Sequence, residues 1–187
     1  MHMAATTRVW TVDEVHELPD DGNRYEVVGG ELLVTPSPTW RHQDAVLALA
    51  GRIGPWLRDH PAGRLLVAPA DVVTGARTLV QPDLFVVPLV DGRKPRDWSE
   101  AGRLLLAVEV LSPSSARGDR FVKRRLYQSM RVPEYWLVDV DARAIERWTP
   151  TDDRAELLDA HLAWRPDPAH PALDMELPAL FAEVLGE

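Results

Sequence analysis

The chain has 187 residues, 45% of them apolar and none of them cysteine, and a formal net charge of −8. This length and apolar share suit one folded domain over 1–187 and exclude a disordered or fibrous chain. The absence of cysteine excludes disulfides, thiolate metal sites and thiol nucleophiles and fits a reducing cytoplasm; the acidic balance excludes a generic nucleic-acid coat, and no apolar stretch nears the roughly 20 residues that span a bilayer.

In chain order, Thr11-Val12-Asp13-Glu14 has the form of a capping box, predicting a short helix over Val12 to Leu18, with a turn at Pro19 to Gly22. Tyr25 to Val34 predicts a hairpin, because two β-rich runs flank Gly29-Gly30, a pair that can take positive φ angles. Thr39 caps a helix from Trp40 to Asp59. Val46, Leu49, Ile53, Trp56 and Leu57 share one face of it, and Gly54-Pro55 is a candidate kink. Strands follow at Arg64–Ala68, Asp71–Val73 and Val80–Val87, then a polar loop from Asp91 to Gly102. Arg103 to Leu111 is nearly all apolar, as in a strand covered on both faces. Beyond the break at Ser112-Pro113, a helix is predicted over Gly118 to Met130, burying Phe121, Val122, Leu126 and Met130. Glu134–Asp139 and Ala144–Trp148 form a second hairpin. Ala155–Leu158 and Ala163–Trp164 are short strands, and Leu180–Leu185 is a terminal helix. The order predicts an α/β fold with a central mixed β-sheet flanked by helices and with N-terminal and C-terminal hairpins.

The chemistry concentrates between Gln81 and Lys123. Asp83 and Glu109, 26 residues apart (109 − 83), lie on consecutive strong strands, which neighbour each other more often than not. Two carboxylates meeting at one end of a sheet make a hard oxygen site suited to Mg²⁺ or Mn²⁺. Asp83 has a structural alternative as a turn residue after Pro82. Glu109 ends a buried run, where a carboxylate needs a partner or a metal. Lys123 lies on the following helix, where it can assist at a phosphate or pair with Asp119 at i,i+4. Between Pro113 and Pro133 the chain carries Arg117, Arg120, Lys123, Arg124, Arg125 and Arg131 against one acid, Asp119. This segment reads either as a DNA-contacting patch or as a solvated helix face.

The pattern Pro82-Asp83 followed by Glu109 at the end of the next major strand resembles the PD-(D/E)XK nuclease superfamily. The run Glu109-Val110-Leu111-Ser112-Pro113-Ser114, with Asp119, Lys123, Tyr127 and Glu134 to Asp139, resembles its Uma-two branch of restriction-endonuclease-like proteins. The resemblance extends from the Tyr25 hairpin to Trp148. It implies a restriction-endonuclease-like fold, with a divalent ion held by Asp83, Glu109 and the main-chain carbonyl of Val110. The superfamily's lysine stands two residues after the Glu; that position is Leu111 here, and Lys123 matches the place from which this branch supplies it. Glu31 and His42 also match branch positions, as an additional ligand or a supporting contact, while His42 has a structural alternative as a helix-start residue. Asp71 matches as well and reads as structural.

The expected function is therefore a Mg²⁺- or Mn²⁺-dependent endonuclease hydrolysing DNA, with Asp83, Glu109, Lys123, His42 and Glu31 as site residues and Arg117–Arg125 on the DNA backbone. The alternative is a catalytically inactive nuclease fold acting as a binding or assembly module. A homodimer is expected, with the hairpins at Tyr25–Val34 and Glu134–Trp148 as contact surfaces. Trp56, Trp136 and Trp148 read as core, and Trp40 and Trp98 as exposed.

Overall fold

The computed structural model describes residues 8–187. Helix α1 (Val12–His16) starts at the expected capping box: Thr11 caps Glu14, and the Glu14 carboxylate returns to the Thr11 N–H at 2.9 Å. Strands β1 (Arg24–Val28) and β2 (Glu31–Thr35) form the expected hairpin, with φ of 59° at Gly29 and 91° at Gly30, as a two-residue turn of this hand requires. Helix α2 (Trp40–Asp59) is capped by Thr39 and runs through Gly54-Pro55 as one element.

The chain continues through β3 (Gly63–Val67), β4 (Val72–Val73), β5 (Leu79–Val80) and β6 (Leu84–Pro88). The single strand expected over Val80–Val87 is thus broken at Gln81-Pro82-Asp83. Proline has no N–H for a ladder, and here the chain passes from one sheet to another. A short helix α3 (Trp98–Ala101), capped by Asp97, interrupts the expected loop. Then come β7 (Leu106–Val110), a π-helical turn (Gly118–Lys123) leading into α4 (Arg124–Ser129), and β8 (Glu134–Asp139). The C-terminal part adds β9 (Ala144–Trp148), β10 (Glu156–Leu158), β11 (His161–Trp164), β12 (Leu173–Glu176) and α5 (Leu177–Leu185).

A six-stranded sheet, ordered β10-β9-β8-β7-β6-β3, forms the centre; only β7 and β8 are parallel, joined by the π-turn and α4. A four-stranded sheet, β2-β1-β5-β4, stands beside it. One face of the central sheet packs Leu84, Val86, Val108 and Trp136 against α2, α5 and the β11–β12 pair; the other packs Phe85, Ala107, Tyr135 and Leu137 against Tyr127 of α4. That double cover explains why all of β7 is buried and why it reads as a continuous apolar run.

Two expectations are corrected here. In the helix after the Ser-Pro break, the fully buried stripe is Asp119, Lys123 and Tyr127, while Phe121 is 55% exposed and Leu126 and Met130 are only partly buried. The apolar stripe is not the inward one, because ion pairing compensates the burial of these charges. The Glu134–Trp148 hairpin is not an open contact surface, since β8 lies inside the central sheet and β10 covers β9. Among the tryptophans, Trp56 and Trp136 are core and Trp40 is exposed, whereas Trp98, expected exposed, and Trp148, expected in the core, both pack partly buried against the second core cluster.

Gly63 begins β3 under tight packing: an added Cβ would stand 2.6 Å from the Val87 carbonyl oxygen and 2.7 Å from Val86. Gly51 lies on the exposed side of α2 with open space around it. Gly63→Ala should therefore lose about 1–3 kcal/mol in urea unfolding, whereas Gly51→Ala should gain about 0.4–1 kcal/mol. Equal effects at both positions would contradict this packing.

Candidate active site

The site follows from the pairing register. β6 and β7 are antiparallel, with Leu84 opposite Val108, Phe85 opposite Ala107 and Val86 opposite Leu106. One further step sets Asp83 opposite Glu109, on the face that carries Phe85 and Ala107. Leaving the ladder at Pro82 also frees Asp83 to meet the small sheet, where the Gln81 N–H donates to Glu26 Oε1 at 2.7 Å. β1 presents Arg24 and Glu26 on one face by two-residue alternation.

Every oxygen of Asp83 is engaged. Arg24 Nη1 donates to Oδ1 at 2.7 Å; His42 Nε2 and the Val110 N–H donate to Oδ2 at 2.9 and 2.8 Å. Lys123 Nζ, only 2% exposed, holds the other acids: Glu26 Oε2 at 2.7 Å, Glu109 Oε1 at 2.9 Å and Asp119 Oδ1 at 3.4 Å. Tyr127 adds its hydroxyl to Glu109 Oε1 at 3.2 Å. Glu109 Oε2, Asp119 Oδ2 and the His42 Nδ1 are buried with no hydrogen-bond partner.

These groups are out of charge balance. Four buried carboxylates (Glu26, Asp83, Glu109, Asp119) face two permanent cations (Arg24, Lys123), which leaves two excess negative charges (4 − 2) when all four ionise. Burial opposes ionisation of Asp83, but the hydrogen bond from His42 and the charge of Arg24 outweigh it and hold its pKa well below the usual carboxylate range. Burial dominates at Glu109, and the neighbouring acids add to it against Lys123, so its pKa stands well above normal. Burial likewise raises Asp119, partly offset by Lys123. For Lys123 itself, burial is outweighed by Glu109, Glu26 and Asp119, which keep it charged. Adjacent carboxylates with pKa values pushed apart are a feature of reactive sites.

Two cavities open onto this network. The first, about 820 Å³, reaches Arg24, His42 and Asp83; the second, about 750 Å³, reaches Glu26, Asp119 and Lys123. Among the described residues, no group of three or more His, Cys, Asp or Glu side chains is arranged to hold a metal ion alone.

The family model Uma2, described as "Putative restriction endonuclease", matches residues 12–180. The chain belongs to the Uma2 family. The family assignment spans every residue of the network. The crystal structure of "a putative nuclease belonging to DUF820" from Anabaena variabilis ATCC 29413 is similar in fold, with a TM-score of 0.70 and 19% identity, covering 94% of this chain and 99% of that one. A comparison with curated proteins finds no match. The fold is the restriction-endonuclease-like one, with its mixed central sheet flanked by helices.

Within this Uma2 member, the structure brings Asp83, Glu109, Lys123 and His42 together and sets the Val110 backbone against Asp83. Glu31 stands apart: it is exposed at the start of β2 and lines the second cavity without an ion pair or hydrogen bond to the cluster. Leu111 packs partly buried against the second core cluster, and Lys123 provides the ammonium at Glu109. Asp71 has a structural place, accepting from Gln81 Nε2 at 2.7 Å and standing 3.2 Å from His16. Arg24 and Glu26 join the site without a motif that marks them in the sequence. Glu26 carries the signal that marked Glu109, a carboxylate inside an apolar strand. Among the described residues no helix is long and apolar enough to cross a membrane.

Because Lys123 is the one ammonium shared by three buried acids, Lys123→Ala should lose about 3–5 kcal/mol in urea unfolding, the usual effect of stranding buried charge. Adding Glu109→Gln to that variant should recover part of the loss. A Lys123→Ala protein within 1 kcal/mol of the parent, the loss expected of an exposed pair, would show that the network does not hold the fold.

Proposed function

We propose that this protein is a Mg²⁺- or Mn²⁺-dependent endonuclease acting on DNA phosphodiester bonds. The observation that carries this reading is the buried, charge-imbalanced carboxylate pair Asp83–Glu109, with Glu109 Oε2 left without a partner. The residues fit a hard divalent ion: the donors are carboxylate oxygens, two negative charges are in excess when all four acids ionise, and Mg²⁺ needs only one or two carboxylates beside water and substrate oxygens. Asp83, Glu109 and the Val110 carbonyl would hold it. When bound, such an ion polarises the phosphoryl group and makes water more acidic.

The chain's own residues have distinct parts. Asp83 is kept ionised by Arg24 and His42 and is therefore ready as an anionic ligand. Lys123, charged and fixed by three acids, offers a positive charge where negative charge grows on the phosphate. Burial strengthens that interaction by excluding water. The family description, "Putative restriction endonuclease", supports the same chemistry.

A second reading, a catalytically silent member that binds or assembles, is favoured by one observation: Arg24 and Lys123 already occupy the acids, and Leu111 stands where the superfamily's lysine is usual.

The test is cleavage of supercoiled plasmid and circular single-stranded DNA with Mn²⁺, alongside thermal melts. The parent should cut at least one of the two DNAs, and Asp83→Asn should lose at least about a hundredfold in rate. Mn²⁺ should raise the Tm of the parent but not of Asp83→Asn or Glu109→Gln. Cleavage that survives Asp83→Asn would sink the assignment; a Tm shift without cleavage would favour the silent reading.

A further inference from the structure

The geometry points to an unpaired nucleic-acid strand, not a duplex, as the polymer this site receives, with Trp40 as a base-stacking platform. This deepens the nuclease reading above and rests on it. Four observations carry it.

First, the reacting groups are recessed. Asp83, Glu109 and Lys123 are 3%, 0% and 2% exposed. A duplex carries its phosphates on a stiff rod, and bending or splaying it to lower one phosphate into a recess carries a deformation cost. An unpaired strand bends freely.

Second, the way in is a path. The two cavities share Thr35, Ser114 and Ser115, so they adjoin over the rim of the site, one on the Asp83 side and one on the Lys123 side. A chain crossing that rim would pass both halves of the network.

Third, an exposed aromatic ring accompanies each cavity. Trp40 is 89% exposed at the start of α2, where Thr39 just before it and His42 two residues on line the first cavity; Phe121, 55% exposed, lines the second. An indole left in water at the edge of a groove suits base stacking, which tolerates any sequence. The first cavity adds an apolar wall, including the exposed Leu47 and Val67.

Fourth, free positive charge along the two cavities is scarce. Within the basic segment Arg120 is paired with Asp139 and Glu146, Lys123 is buried among acids, and Arg124 lies over the Trp148 ring. Among the described residues Arg117 and Arg125 have no ion pair, and both line the second cavity. Two such cations on a chain of net charge −8 give weak counter-ion release on a duplex, whereas stacking can hold a single strand.

The test is fluorescence anisotropy with the full chain and no divalent ion, so that no cleavage occurs. The probes are a labelled single-stranded DNA long enough to cross both cavities, the same sequence as RNA, and its DNA duplex. The expected result is single-strand binding at least about tenfold tighter than duplex binding, weakened about tenfold in Trp40→Ala and in Arg117→Ala/Arg125→Ala with unchanged melting temperatures. The DNA and RNA arms identify which sugar the groove prefers. Equal or tighter duplex binding, no binding of either single strand, or Trp40→Ala binding like the parent would each overturn the inference. The two readings fail separately: a duplex-preferring protein that loses Mn²⁺-dependent cutting in Asp83→Asn remains a nuclease without this strand preference. A tight single-strand binder that never cuts keeps the groove and loses the nuclease.

Discussion

An ammonium group shut away from water is stable in its charged form only where anions surround it, and Lys123 has three. Those anions come from three parts of the chain: Glu26 on the small sheet, Glu109 on the central sheet and Asp119 on the π-turn itself. Lys123 is therefore the joint between the two sheets and the crossover segment. A surface ion pair contributes little to stability. A buried one whose partners cannot find water elsewhere binds its elements together, because removing either side strands a charge.

The same joint leaves the site under tension. Arg24 ties Asp83 toward Glu26, and Lys123 ties Glu26 toward Glu109, so one acid is shared by both cations. The remaining oxygens of Glu109 and Asp119 have no donor within the protein. Buried polar atoms rarely go unpaired without a reason. Here the reason fits chemistry: a fold that needed only a structural ion pair could match four acids with four cations, and this one does not.

Much of this was legible in the sequence because it rests on local signals. The capping box at Thr11, the Gly29-Gly30 turn, the Thr39 cap and the buried run before Glu109 all depend on neighbours in the chain, and each element formed there. The meeting of Asp83 with Glu109 was legible too, since it needs only two consecutive strands in antiparallel register. What could not be read was set by contacts far apart in sequence. Arg24 and Glu26 meet the site only because β5 leads straight into the chain before β6, which brings residues 55 and 59 positions distant into hydrogen bonding. The inward face of the crossover helix is illegible for a related reason: hydrophobic periodicity marks faces that bury oil, and this face buries charge.

The displaced lysine has a structural counterpart in the π-turn. A lysine two residues after Glu109 would be positioned by the sheet alone; at 123 it is positioned by how the crossover packs. π-helical turns are rare and concentrate at functional sites, because their geometry is less favourable than that of an α-helix and must be offset by something. In this molecule the offset is visible. The π-turn spans Gly118–Lys123, its two buried residues are Asp119 and Lys123, and Tyr135 donates its hydroxyl to the Asp119 carbonyl at 3.2 Å. The ion pairs and that hydrogen bond hold the segment in a conformation that its sequence would not favour alone. Lys123 thus depends on the π-turn for its position, and the π-turn depends on Lys123 and its acids for its stability. The crossover and the carboxylate site are one cooperative unit, so loosening either should loosen both.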